Sequence, residues 1–136
     1  MALKRVLIVE DDPFISLDVE QALTTAGYQV CGSAANETEA LIIARETRPQ
    51  FAVVDVNLSP GDGRRVAREL IRLYGATVLM ATSECQGAHP LAGLGAKACL
   101  LKPYNAETVA AALDAAAALQ SGREPGPLPY GLVILE

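Results

Sequence analysis

Val6-Leu7-Ile8-Val9-Glu10-Asp11-Asp12-Pro13 runs from four apolar residues straight into three acidic ones and a proline. An unbroken apolar run has no polar face to show water, so it reads as a strand covered on both sides, the habit of a central strand in a parallel sheet. Asp12 followed by Pro13 reads as a helix N-cap with proline at the first helical position. Ile15, Val19, Ala22 and Ala26 then give that helix one apolar face, and Gly27 stops it.

The same alternation continues outward from this unit. Residues 28–33 suit a second strand, and Asn36 with Glu39 three residues on resembles a capping box for a helix ending before Pro49. Residues 51–55 form a third strand that ends in Asp55. The loop 57–63 holds Pro60, Gly61 and Gly63, and the helix after it carries Val66, Leu70 and Tyr74 on one face. A fourth strand spans 77–81. Residues 84–95, with Pro90, hold only a short helix. A fifth strand spans 98–101, and Asn105 caps an alanine-rich helix bearing Val109, Leu113 and Leu119. Five strands alternating with five helices predict an α/β, flavodoxin-like, doubly wound five-stranded parallel sheet in the order 2-1-3-4-5. Ligands bind such sheets at the carboxyl ends of the strands beside the switch point.

Those ends carry Glu10, Asp11 and Asp12 after the first strand, Asp55 after the third, Thr82 after the fourth and Lys102 after the fifth. Neighbouring strands lie roughly 4.8 Å apart, so Asp11 and Asp55 should stand side by side. Carboxylates that close repel unless a cation joins them, and oxygen-only ligands in an open site suit Mg²⁺ better than Ca²⁺. Asn57 can lend its backbone carbonyl. Lys102 can pair with a carboxylate at rest and with a phosphoryl oxygen afterwards, Thr82 supplies a hydroxyl to the same oxygen set, and Lys102–Pro103 is a candidate cis bond. An acceptor carboxylate, a bridging metal and a facing cation suit in-line phosphoryl transfer.

The segments Leu7-Ile-Val-Glu-Asp-Asp12, Val54-Asp55-Val-Asn-Leu58, Gly63, Val78-Leu-Met-Ala-Thr-Ser83 and Leu101-Lys-Pro-Tyr104 resemble the receiver domains of two-component response regulators. The resemblance implies that Asp55 is the phosphoacceptor, fed by a histidine kinase's phosphohistidine. It implies Glu10 and Asp11 as the acidic metal pair, Asp11 direct and Glu10 through water, with Asp55 and Asn57 completing the Mg²⁺ set. Thr82, Ser83 and Lys102 would bind the phosphoryl group, and Asn57 and Glu84 would set its lifetime. Where the family often carries an aromatic residue, three before the lysine, this chain has Cys99.

Other readings are more modest. Asp12 is a cap rather than a ligand, His89 a loop residue, Glu84 a solvated charge, and Tyr104 either an output-face ring or a shield for backbone. Three scattered cysteines, Cys31, Cys85 and Cys99, are too few for a disulfide framework and read as small apolar fillers in a reducing compartment. A net charge of −5 argues against direct binding of nucleic acid, and no segment looks like a leader or a membrane span, so a cytoplasmic setting is expected. Residues 1–120 read as the receiver and 121–136 as a Pro/Gly-rich tail. Its apolar end, residues 130–135, is expected to dock on its own domain or as an added strand on a partner.

The function expected is therefore a non-enzymatic signalling receiver, catalysing only its own phosphotransfer and dephosphorylation and switching contacts with a downstream protein. Dimerisation is expected, if at all, through the face of the fourth helix, fifth strand and fifth helix, or through the tail. The rival readings are a fragment of a larger regulator or hybrid kinase, an aspartyl-phosphate phosphatase of the haloacid-dehalogenase type, and a flavin or nucleotide carrier. The phosphatase needs an acid where Asn57 stands, and the carrier needs a phosphate loop where Glu10-Asp-Asp-Pro13 would repel phosphate.

Overall fold

Strand β1 (Lys4–Val9) lies between β2 and β3 in a sheet whose order is β2-β1-β3-β4-β5-β6, with β2 (Tyr28–Ala34), β3 (Phe51–Asp55), β4 (Thr77–Thr82), β5 (Ala98–Leu101) and β6 (Leu132–Ile134). The computed structural model describes residues 4–85, 91 and 93–135. Helices α1 (Pro13–Thr25), α2 (Glu37–Thr47), α3 (Gly63–Tyr74) and α4 (Ala106–Gln120) connect and cover the strands. The first five strands are parallel in the predicted order. The expected short helix within 84–95, with Pro90 and His89, falls largely on residues outside those described.

Strand alternation explains why the central runs are apolar throughout. Leu7, Val9, Val54, Val78 and Met80 face one layer with Ala40, Ala44, Val66 and Leu70 of α2 and α3. Val6, Ile8, Val53, Leu79 and Leu100 face the other, with Val19 and Leu23 of α1 and Val109 and Leu113 of α4. Each such side chain, fully buried, contributes about 1.5–3 kcal/mol, so two filled layers suffice to hold the sheet. The buried stripe of α1 is Ser16, Val19 and Leu23, whereas the expected Ala26 is the exposed C-cap. Spacings of three and four residues hold Ser16, Val19 and Leu23 on one face, whereas Ala26 lies past the last helical residue.

The caps lie where the side chains dictate. Asp12 accepts from the N–H groups of Phe14 and Ile15, Asn36 from Glu39 and Asn105 from Glu107. The Glu39 carboxylate reaches back to the Ala35 N–H at 2.8 Å, one residue earlier than a standard capping box. Both Ser59–Pro60 and Lys102–Pro103 are cis.

Two expectations change here. The sheet gains a sixth strand: β6 pairs antiparallel with β5, and the Leu101 N–H donates to the Gly131 carbonyl while that of Leu135 donates to Lys97. Val133 and Leu135 pack onto the layer of α2 and α3. The edge of β5 is therefore occupied by the chain's own tail, the own-domain docking that was one of the two placements expected for residues 130–135. Cys85 and Cys99, read as separate fillers, instead form a disulfide with Cα atoms 5.9 Å apart, and only Cys31 is free. Cys99 lies on β5 opposite Met80 of β4, and the chain leaving β4 turns back to bring Cys85 beside it, a proximity that a separation of 14 residues does not reveal.

Deleting residues 122–136 should expose β5 and the flank of the core, lowering the unfolding free energy by about 2 kcal/mol. Urea denaturation of the truncated and full chains checks this, and equal midpoints would contradict it.

Candidate functional site

The carboxyl ends of β1, β3 and β5 deliver Glu10, Asp55 and Lys102 to one point. The Lys102 ammonium donates to Asp55 Oδ2 at 2.9 Å and to Glu10 Oε1 at 3.0 Å. Each carboxylate has a second partner: the Asn57 N–H donates to Asp55 Oδ1 at 3.0 Å, and the Asp12 N–H to Glu10 Oε2 at 3.1 Å. Glu10 and Asp55 are 6% and 5% exposed, so their charges are tolerable only because of these donors. Burial pushes the Glu10 carboxyl above the usual range even though the Asp12 N–H and Lys102 pull it down. Burial also works against the Lys102 charge, but the bonds to Asp55 and Glu10 outweigh it and the ammonium is held well above its ordinary value.

Asp11 is exposed, and its carboxylate completes a cluster with Glu10 and Asp55 in which one ligand atom from each lies within 4.8 Å of the others. Three carboxylates without histidine or thiolate form a hard-oxygen set, the donor chemistry that fits a Mg²⁺ ion keeping several waters. Asn57 is exposed beside this cluster, and Asp12 is engaged as the α1 cap.

Thr82 is buried at the end of β4, with its hydroxyl accepting from the Glu84 N–H at 3.4 Å, and Ser83 and Glu84 are exposed. The Lys102 N–H donates to the Thr82 carbonyl at 2.8 Å, which ties the two strand ends together. Tyr104 packs against the layer of α1 and α4, and burial, helped by the Glu10 charge, pushes its hydroxyl up to about 12. His89 lies outside the described residues.

Sequence reasoning did not find what fixes the loop after Asp55. A Cβ on Gly63 would overlap the Asp55 carbonyl oxygen, so α3 can start this close to β3 only with glycine there. Asp62 caps α3 through the Arg64 N–H at 2.9 Å, and Glu37 of α2 accepts from the Asp62 N–H at 3.0 Å and from Arg65. Asp62 one residue before Gly63, with arginines following, was the legible half of this clamp. Glu37 is distant in sequence and was not.

With this geometry in place, the comparisons with known proteins decide the family. Residues 6–114 match the response regulator receiver domain. The chain belongs to that family. This receiver, a signalling module of two-component systems, is 31% identical over 115 residues to the transcriptional regulatory protein PdtaR of Mycobacterium tuberculosis, covering 83% of the chain and 56% of the relative. It is 30% identical over 114 residues to the chemotaxis protein CheY of Thermotoga maritima, covering 82% and 95%. The receiver thus spans about half the length of one relative and nearly all of the other. Its fold is similar to the signal receiver domain of a modulated diguanylate cyclase from Desulfovibrio desulfuricans, with TM-score 0.77, 28% identity and coverage of 88% and 98%. A CheY-like receiver from Methanospirillum hungatei gives TM-score 0.76 at 26% identity, covering 89% and 98%. No helix among the described residues is long and apolar enough to cross a membrane.

The loop clamp yields a pH dependence. The Arg65 bond, then the Asp62 N–H, hold the Glu37 carboxyl below its ordinary value. A depressed folded pKa means stability present above the unfolded pKa and lost as pH falls through the folded one. Between about pH 5 and pH 3 the receiver should therefore lose more stability than a Glu37→Gln variant. The difference should stay below about 1 kcal/mol because the pair is exposed, and should shrink in high salt. Urea midpoints at the two pH values check it, and equal losses would contradict the clamp.

Proposed function

We propose that this receiver accepts a phosphoryl group on Asp55 from the phosphohistidine of a histidine kinase, in a Mg²⁺-dependent reaction. The observation that carries the reading is the Lys102 ammonium held between Glu10 and Asp55, with Asp11 completing a three-carboxylate cluster. Glu10, Asp11, Asp55 and the Asn57 carbonyl are the residues assigned to the metal. A Mg²⁺ held there would supply charge neutralisation for the phosphoryl transfer.

An Asp55 carboxylate oxygen forms the new O–P bond as the P–N bond to the donor imidazole breaks, and the departing nitrogen keeps the electron pair. The transfer demands alignment and charge neutralisation more than acid–base work. Lys102, already an ammonium at Asp55, meets the incoming phosphoryl oxygen. Thr82 turns its hydroxyl from the Glu84 N–H to donate to another, and Ser83 offers a small exposed neighbour. Glu84 and Asn57 face the product and are assigned to its lifetime.

Engagement of Thr82 and Lys102 biases a population shift, with a coupling of roughly 1–3 kcal/mol to the output surface. We further assign residues 1–120 to the receiver core, residues 121–136 to an appended tail, a downstream protein as listener, and a cytoplasmic setting. The module catalyses only its own phosphorylation and dephosphorylation. The match to only 56% of PdtaR supports the alternative that this receiver works within a larger regulator.

Intact mass after acetyl phosphate and Mg²⁺ tests the chemistry. A gain of one phosphoryl group is expected in the wild type and neither in EDTA nor in Asp55→Ala. Lack of an adduct at short times, with Mg²⁺ bound, would instead identify a binding module that works without phosphorylation.

A further inference from the structure

The Cys85–Cys99 disulfide lies three residues along the chain from each of two residues of the proposed phosphoryl site, Thr82 and Lys102. Only Ser83 and Glu84 separate Thr82 from Cys85, and only Leu100 and Leu101 separate Cys99 from Lys102. The Cys85–Cys99 bond joins these two segments at one end, and the Lys102 N–H on the Thr82 carbonyl joins them at the other. Thr82 and Lys102 therefore sit just outside the covalent loop 85–99, on a smaller ring closed at one end by the S–S bond and at the other by their backbone hydrogen bond, and breaking the S–S bond opens that ring. Cys31 cannot exchange into the pair, because β2 and β5 lie toward opposite sides of the sheet with β1, β3 and β4 between them.

We propose that Cys85 and Cys99 are a reversible dithiol–disulfide modification site whose oxidation restrains Thr82 relative to Lys102 and slows phosphoryl acceptance. The second half rests on the Asp55 reading above. A domain with two filled core layers does not need a staple, and persistent disulfides are rare in the cytoplasmic setting proposed here, where such bonds are mostly transient or redox-sensing.

Cys85 is 6% exposed on non-strand backbone and Cys99 0% exposed within β5, so Cys85 is the sulfur that meets a reagent first. Val133 of β6 is the register partner of Cys99 and helps seal the opposite approach. The oxidant is a low-molecular-weight disulfide. The Cys85 thiolate, having lost its proton, attacks one of the reagent's sulfurs and expels the first thiolate. Cys99, likewise deprotonated, attacks the Cys85 sulfur and expels the second. The two protein thiols lose two electrons and two protons, and the reagent becomes two thiols; a dithiol reverses the sequence.

The oxidised bond holds the chain after Thr82 where its hydroxyl accepts from Glu84. Turning that hydroxyl toward a phosphoryl oxygen is easier once the ring is open.

The test uses the full chain equilibrated with glutathione disulfide or with dithiothreitol. The oxidised form should weigh less by the mass of two hydrogen atoms and show one titratable thiol in denaturant against three when reduced. Amide exchange at residues 83–85 should be slower when oxidised. Phosphorylation by acetyl phosphate with Mg²⁺ should be slower by roughly 5-fold, a difference absent in Cys85→Ser. Three titratable thiols, or stable glutathione adducts, after oxidation would overturn the site. Unchanged amide exchange, or equal phosphorylation rates in the two forms, would overturn its link to Thr82 and Lys102. Failure of both forms to phosphorylate, with the thiol and exchange differences intact, would count against the Asp55 reading and leave the modification site standing.

Discussion

Lys102 holds two buried carboxylates that would otherwise repel each other, and most of the rim is arranged to let it do so. Its ammonium is 2.9 Å from Asp55 and 3.0 Å from Glu10, at the ends of strands that are not sequence neighbours. Removing one member of such a group leaves uncompensated charge in a poorly solvated place, which costs far more than the net worth of the intact set. The parallel sheet makes this tolerable, since β1, β3 and β5 end on one edge and backbone N–H groups from the adjoining loops supply the remaining bonds.

Much of this was legible in the chain. The apolar runs of β1, β3 and β4 are continuous because both faces are covered, so they announced strands and their position together. Asp12 and Asn105 announced helix starts because a short polar side chain beside an apolar stripe has few other uses. Glu10, Asp11, Asp55 and Lys102 fell at or just past strand ends, and strand order alone was enough to bring them together.

What was not legible depended on register and on distant contacts. The disulfide requires knowing that Cys99 sits opposite Met80 and that the chain past Thr82 turns back toward it, facts no spacing reveals. The antiparallel β6 follows a Pro/Gly-rich stretch, and the three residues of Leu132–Ile134 are too few to show which edge they seek. The Glu37 bond to the Asp62 N–H depends on how α2 packs beside α3. The steric demand at Gly63 comes from the Asp55 carbonyl, so a residue that looked like loop punctuation in fact sets how closely a helix approaches Asp55.

The measurement closest to the central claim is a double-mutant cycle on unfolding free energy in EDTA, with Lys102→Met, Asp55→Asn and the pair. Lys102→Met should destabilise the fold by about 2 kcal/mol, less than the roughly 3–5 kcal/mol of a fully buried pair because the ammonium keeps some contact with water. Neutralising Asp55 in the same chain should recover much of that loss, giving a coupling of at least about 1 kcal/mol. A coupling near zero would contradict the account, because Lys102 and Asp55 would then share a place without depending on each other.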